Sequence, residues 1–493
     1  ENFGAFTRFK YWTDTELADG NRAHGNASNA YAQDQPLSDD GFSNNAKFSG
    51  VTLLDAYVFA ALDVAQMPVD IRLGRQVLSW GESTFIQGGL NASNPIDVSA
   101  LRRPGATLKE GLLPVGMAYF SVGASENLSI EAFYQYEWAK TEIDGCGTLF
   151  GADFAASGCD YVTFGADDAT ALAAGFAVER TADVDAKDDG QYGLAARYFA
   201  EELNNTEFGI YAMNIHSRVP LISGTRSSHP DAAVGTGSTI ATGISAALPF
   251  AFVPGLGSNA SYYIEFPEDL KFYGLSFATN AGGVALSGEI SYKPDTPIQI
   301  NGNHLLAGVL YESTAVTPFA QRVIDTAPGE SAQGWDAFDV TQIQFTAIQF
   351  MDRVLGASRV TLIGEVGAIL VDGVEDSDFV YGRDTVFGLG VASDGGYVTD
   401  SSWGYRTKAV LDYSDVFAGV SLKPSVSFSH DVDGYSPAPG QQFNEGRQSL
   451  GLSVEAIYQQ AYTATIAYKM SDGGDYNASE DKDFVSLSLG VTY

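Results

Sequence analysis

The chain has 493 residues, with 61 Asp and Glu against 27 Lys and Arg and a formal net charge of −34 at pH 7. That balance excludes nucleic acid as a partner, because a polyanion is held by clustered cations. A mean hydropathy of −0.04 and the lack of an unbroken apolar run of spanning length exclude a helical membrane protein. The longest apolar stretch, near Ala246, is cut by Pro249 and Pro254.

In chain order, apolar residues recur with period two, as in strands with one apolar and one wet face. Segments 2–12, 48–64, 70–80, 114–124, 128–138, 191–200 and 206–216 come first. A long segment, 260–279, is interrupted near Pro267, and 284–292 and 340–351 follow. A bulge is expected where Ala347 and Ile348 break the alternation. Segments 358–370, 403–413, 420–430, 447–458, 461–470 and 483–493 complete the set. In the last, Val485, Leu487, Leu489, Val491 and Tyr493 share a face opposite Phe484, Ser486, Ser488, Gly490 and Thr492. Charged residues stand mid-strand on the second faces, including Glu289, Glu365, Arg406, Lys408 and Asp412. Charge there is costly in a dry core and cheap beside water, so the interior is wet.

Every second connection is short and the others are long. The pattern predicts an all-β fold: one transmembrane antiparallel barrel over 1–493, of about sixteen strands. Short turns face the periplasm, long loops face outside, and some of those fold inward. Barrels escape hydropathy scans because half their residues face water, and 25 Tyr and 30 Phe suit interfacial girdles. The expected location is the outer membrane of a Gram-negative bacterium, among lipid and lipopolysaccharide, with a signal peptide already removed.

The outer loops carry the individuality. Loop 81–113 has the stiffness and bends of an inward-folded constriction. Loop 140–190 contains Cys146 and Cys159 in GCGTLFGADFAASGC, which reads as a disulfide because no further ligands stand nearby for a metal. A short helix is expected near 166–180, and an apolar run, 248–256, lies in loop 217–259. Loop 294–339 predicts two short helices, near 305–312 and 319–324. Their apolar residues either pack together as an external cap or narrow the lumen. The acidic loop clusters lack the spacing of a calcium loop and read as solvated surface suited to a salty medium.

GRQVLSWGES from Gly74, NPIDVSALRRPG from Asn94 and KEGLLPVG from Lys109 resemble a family of Gram-negative outer-membrane proteins known as domain of unknown function thirteen hundred and two. The resemblance implies a porin-like barrel for hydrophobic or amphipathic small molecules or lipids. It also implies a periplasmic lipoprotein-type companion and an inner-membrane exporter of the lipid-handling kind.

Read without the family, Arg102, Arg103, Lys109 and Arg75 form a basic knot in an acidic chain. Two roles stand open for it. It sets a transverse field at the constriction with Glu82, Glu365, Arg406 and Lys408, or it clamps the loop to wall carboxylates such as Glu82, Glu110 and Glu365. Alternation with Ile71, Leu73 and Val77 points Arg75 at lipid, so a bulge near Gly74 is expected to turn it inward. His24, His216, His229, His304 and His430 are scattered, and no nucleophile, base and orienter fall together, so no enzyme and no cofactor are expected. The reading is a conduit whose selectivity is set by inward loops. The alternative is a non-conducting barrel that docks a trans-envelope lipid-transport assembly.

Overall fold

The computed structural model describes residues 2–20, 36–102, 111–151, 154–164, 171–172, 177–228, 259–391 and 394–492. Strands are numbered along the chain through two sheets. The main sheet begins with β1 (Asn2–Thr13), β2 (Ser49–Val64), β3 (Met67–Gln76), β4 (Val115–Gly123) and β5 (Leu128–Gln135). After β6 (Tyr161–Thr163) and β7 (Ala177–Arg180) it continues with β8 (Gln191–Ala200) and β9 (Thr206–Ile215). Past β10 (Leu221–Thr225) and β11 (Ser261–Glu265) come β12 (Leu270–Ala281) and β13 (Val284–Gln299). Past β14 (Ser331–Ala332) follow β15 (Trp335–Asp352), β16 (Arg359–Val371), β17 (Ser401–Phe417), β18 (Val420–Asp433), β19 (Gln448–Tyr458), β20 (Tyr462–Asp472) and β21 (Phe484–Val491).

The main sheet has 16 strands, each hydrogen-bonded to its neighbours in chain order. All these pairings are antiparallel, which short turns permit. Consecutive positive φ angles occur in the two-residue turns Ala65–Gln66, Gly282–Gly283 and Ala418–Gly419, and at Gln459–Gln460 in the three-residue turn between Tyr458 and Tyr462. These match the twist of a hairpin, and the glycines reach that conformation without the cost that Ala and Gln bear. Among the described residues, β1 and β21 are the two ends of the ladder and are not hydrogen-bonded to each other.

The two faces differ in kind. Leu73, Ile210, Leu275, Ile343, Ile466 and Leu489 project outward and are exposed, Leu489 at 79%. The opposite face carries Arg72, Glu131, Glu289, Glu365, Arg406 and Lys469. An apolar outside around a polar inside is the pattern of a transmembrane β-barrel of the porin kind. No helix among the described residues is long and apolar enough to cross a membrane, which says nothing of strands.

The ladder runs in register through Ala347 and Ile348, so the expected bulge is absent there. Alternation fails because Ile348 faces inward between Ala285 and Ile363, not because the chain slips. The neighbouring strand shifts register instead, between Lys293 and Thr296.

The long loops build a second layer. A 5-stranded sheet, in the order β14-β10-β11-β7-β6, draws its strands from three of them. Among the described residues, the helices that accompany the strands include α1 (Thr15–Asp19), α2 (Val98–Arg102), α3 (Gly302–Tyr311) and α4 (Phe319–Asp325). Leu305, Leu306, Val309 and Leu310 of α3 and Phe319 and Val323 of α4 are buried in one core with Ile222, Tyr262 and Ile264. The apolar residues of loop 294–339 therefore pack on one another and on the small sheet, in a core that also takes in Ile86 of loop 81–113. Asn301 caps α3, its side chain accepting from the Asn303 and His304 amides. Of the helix expected near 166–180, the last four residues are β7, and most of the rest falls outside the described residues. The run 248–256 also falls outside them.

Cys146 and Cys159 are disulfide-bonded, 13 residues apart, in a cluster with Leu37, Phe42 and Phe48. The bond closes a short loop within the connection after β5, and the cluster packs that loop against the loop before β2. Closing a loop of this size limits the open ensemble by about 3 kcal/mol. The double Cys→Ser variant should therefore lose protection locally, at 37–48 and 146–159, while the strands keep theirs. Hydrogen exchange by mass spectrometry checks this, and intact mass of native protein should show no free thiol.

Candidate functional site

After β3 the chain turns inward. Asn94 fixes the turn, its amide donating to the Gln76 and Leu113 carbonyls at 3.3 and 3.0 Å while its oxygen accepts from the Leu78 amide at 2.9 Å. Trp80 anchors the root. It is 1% exposed, its ring centroid lies 5.0 Å from Phe133 and 5.8 Å from Tyr211, and its Nε1 donates to Glu131 at 2.9 Å.

The segment then meets the far wall. Glu289 of β13 accepts from the Glu82 and Leu90 amides at 2.5 and 3.0 Å, and from Gln344 Nε2 at 2.6 Å. Glu365 of β16 accepts from the amides of Thr84, Phe85 and Ile86 at 2.8, 2.7 and 2.7 Å, and from Thr346 Oγ1 at 3.0 Å. Gln342 Nε2 and Lys293 Nζ donate to the carbonyls of Gln87 and Gly88 at 2.9 and 2.7 Å. β3 is third and β16 eleventh in an order of 16 strands, so residues 81–90 lie across the lumen.

Two wall glycines admit the segment. A Cβ on Gly274 would stand 2.3 Å from Leu90, and one on Gly367 would stand 2.7 Å from Ile86. The return is held by buried Arg218, which donates to the Ser93 and Ala139 carbonyls and to Gln135 at 3.2, 3.1 and 2.6 Å. Burial pulls this guanidinium down to about 9, and Glu137 opposes the shift. Further on, Lys10 of β1 pairs with Asp97 at 2.9 Å, just before α2.

The anticipated residues divide. Glu82 lies in the lodged segment, and Glu365 is a wall carboxylate whose partners are backbone amides of that segment. Arg406 pairs with Asp431 at 2.6 Å and donates to the Gln442 carbonyl at 2.9 Å, while the Gln442 side chain accepts from the Gln87 amide at 3.1 Å. Lys408 occupies the next inward position of β17. Arg102 ends α2, and Arg103 and Lys109 lie outside the described residues.

Arg75 is a correction. Gly74 pairs in register with Tyr57 and Met117, so no bulge turns Arg75 inward. It shares the outer face with Ile71 and Leu73, near the long-loop end of β3, where it pairs with Glu137 and donates to the Pro114 carbonyl at 3.1 Å. Sequence reasoning did not single out Trp80, Asn94 or Gln342. Glu289 was visible as a mid-strand charge on a second face, but its partners were not.

Past the segment, the inner face of β17–β21 is mostly small or polar. One cross-strand row reads Lys408, Ser427, Gly451, Lys469 and Phe484, and Val410, Ser425, Ser453, Ala467 and Ser486 form the next. His216, just after β9, is a structural tie: its Nδ1 accepts from the Asp269 amide at 3.0 Å and Nε2 contacts the Asp189 carbonyl at 2.8 Å, while Ser217 Oγ donates to the Val219 carbonyl.

A family model described as "Protein of unknown function (DUF1302)" matches residues 1–493. The chain belongs to the DUF1302 family. Among solved structures it is similar to Pseudomonas aeruginosa OccK1 (OpdK), at 12% identity and a TM-score of 0.38, covering 100% of this chain and 86% of that one. It is also similar to the outer membrane channel DcaP of Acinetobacter baumannii, at 8% identity and a TM-score of 0.34, covering 99% and 98%. A third likeness, to a Rh. blastica porin mutant, has 8% identity, a TM-score of 0.31 and 99% coverage of both chains. No curated protein matches the sequence.

Within this DUF1302 chain, Glu82 is the ionisable group of the lodged segment with a displaced titration. Burial raises its pKa, Arg197 opposes the rise, and Glu207 and Glu289 add to it. For an acid the sign follows directly. A raised folded pKa favours the protonated form, so docking of the segment strengthens as pH falls toward the ordinary glutamate value and weakens as pH rises through the raised one. On mild acidification Glu82 should lose its charge before exposed carboxylates do. Reversal potentials in a salt gradient should then show cation preference falling early in wild type, with that early step missing in Glu82→Gln.

Proposed function

We propose that the chain is a passive outer-membrane channel for small amphipathic molecules, with selectivity set by the segment lodged across its lumen. The observation that carries this reading is the fixing of residues 81–90 to Glu289 and Glu365, six and eight strands from where the segment leaves the wall. A loop pinned in this way narrows a barrel without filling it, and the small residues of β17–β21 leave room on the other side. Selectivity in such a pore follows from its width and the charges that line it. Arg102, Arg103 and Lys109 continue the same loop and add basic charge to it.

The apolar residues of the long loops suit amphipathic cargo. A periplasmic lipoprotein-type partner and an inner-membrane exporter fit that cargo and belong to the same proposal. The test is conductance in a planar bilayer. Ser427→Trp and Ser453→Trp, which place a large ring over the small wall, should lower single-channel current strongly, and Val454→Trp on the outer face should not. An intact barrel with no conductance in any form would favour the second reading, a docking barrel in a trans-envelope assembly. The tightly packed core of the long loops supports that alternative.

A further inference from the structure

A porin interior is ordinarily polar, and aromatic surface left against water is costly there. The inner face of β1–β4 departs from this. Phe6, Tyr57 and Phe59 lie opposite the exposed outer residues Val58 and Leu73, hence toward the lumen, and Phe6 is 44% exposed. Phe6 pairs with Tyr57 across β1 and β2, with ring centroids 5.6 Å apart, and Tyr57 lies 6.4 Å from Phe59. Phe59 pairs in turn with Arg72, and Arg72 with Tyr119.

The Arg72 guanidinium lies 5.2 Å from the Tyr119 ring centroid, and the side chain keeps 39% of its surface exposed. Its contact with Asp70 is long, at 3.8 Å. Tyr119 is oriented from below by its hydroxyl, which donates to Glu131 at 3.0 Å. The wall thus presents a planar, stacked, half-open cation beside three lumen-facing aromatic rings.

We infer that Phe6, Tyr57, Phe59 and Arg72 form a binding site on the channel wall for a small carboxylate with an apolar body. This deepens the channel reading by naming its cargo class, and it rests on that reading for its physiological meaning. A carboxylate meets the guanidinium as a fork of two hydrogen bonds, which a hydrated ammonium cannot reproduce. The body lies along the rings and removes apolar surface from water on both sides. In a chain of net charge −34, a half-open arginine beside several aromatic rings is a cation that an anion would use.

The test measures equilibrium binding to the whole protein in detergent by titration calorimetry, so its outcome does not depend on conductance. The probe is 3-phenylpropionate, with acetate as head alone and benzyl alcohol as body alone. Wild type should bind the probe and bind neither fragment measurably. Arg72→Gln should weaken binding at least about tenfold, Phe59→Ser should also weaken it, and Arg72→Lys should fall between. Only variants with the wild-type β-sheet signal and melting temperature count, and Arg72→Lys and Phe59→Ser decide the matter if Arg72→Gln fails to fold. Equal binding by wild type and these variants would overturn the inference. So would benzyl alcohol binding as well as the probe, since the site would then be a neutral apolar patch. Absence of conductance alongside selective binding would sink the channel reading and leave this site standing.

Discussion

Trp80→Ala is expected to release the root of the lodged segment from β5, β8 and β9. The ring is almost wholly buried, touches Phe133 and Tyr211, and gives its Nε1 hydrogen to Glu131. Removing so large a buried aromatic costs about 3–5 kcal/mol, from lost transfer energy and the cavity left behind. The loss falls on local opening of the segment, because the strand ladders do not depend on it. The amides of Glu82, Ile86 and Leu90 should exchange at least about a hundredfold faster by mass spectrometry, with the strand amides unchanged. Glu131 also keeps Tyr119 and Arg197 as partners, so it is not left as an isolated charge. If exchange at the three amides is unaltered, the segment is held from its tip alone.

Glu365→Ala should free that tip. Its carboxylate takes three consecutive amides, and each buried donor left unsatisfied costs about 1–3 kcal/mol. Water enters a lumen readily and will recover part of this, so the measured effect should lie below the sum. Single-channel conductance should rise, and larger neutral solutes should pass in a liposome-swelling assay. Glu289→Ala removes the partner of the Glu82 and Leu90 amides and should act in the same direction. The two changes act on one segment, so together they should depart from additivity. Glu365→Gln keeps an acceptor oxygen and should show a smaller effect than Ala. Unchanged conductance in the double variant would remove the segment from the permeation path.

Much of the architecture could be read along the chain because a barrel strand's environment repeats every two residues. Val485, Leu487 and Leu489 against Ser486, Ser488 and Gly490 needed no knowledge of a partner strand. The misreadings have the same local origin. Ile348 looked like a slipped register because its apolar partner Ile363 sits on the neighbouring strand. Arg75 looked impossible on an outer face because Glu137, which neutralises it, lies 62 residues away. The aromatic strip of Phe6, Tyr57 and Phe59 was hidden for a related reason: an aromatic on either face of a strand reads as membrane until pairing says which face is which.

The sequence by itself determined the strands, their short and long connections, the wet interior and the cysteine pair, all through contacts of short range or fixed period. It also marked loop 81–113 as stiff and sharply bent, the character of a loop that folds inward. Only the tertiary structure decided where that loop goes and what holds it. The clamp joins Thr84 to Glu365 across 281 residues, through backbone amides that every residue but proline carries. Such donors leave no signature in side-chain identity. The same holds for the small sheet, which is assembled from three separate loops. It depends on which apolar surfaces meet, and no single loop contains the answer.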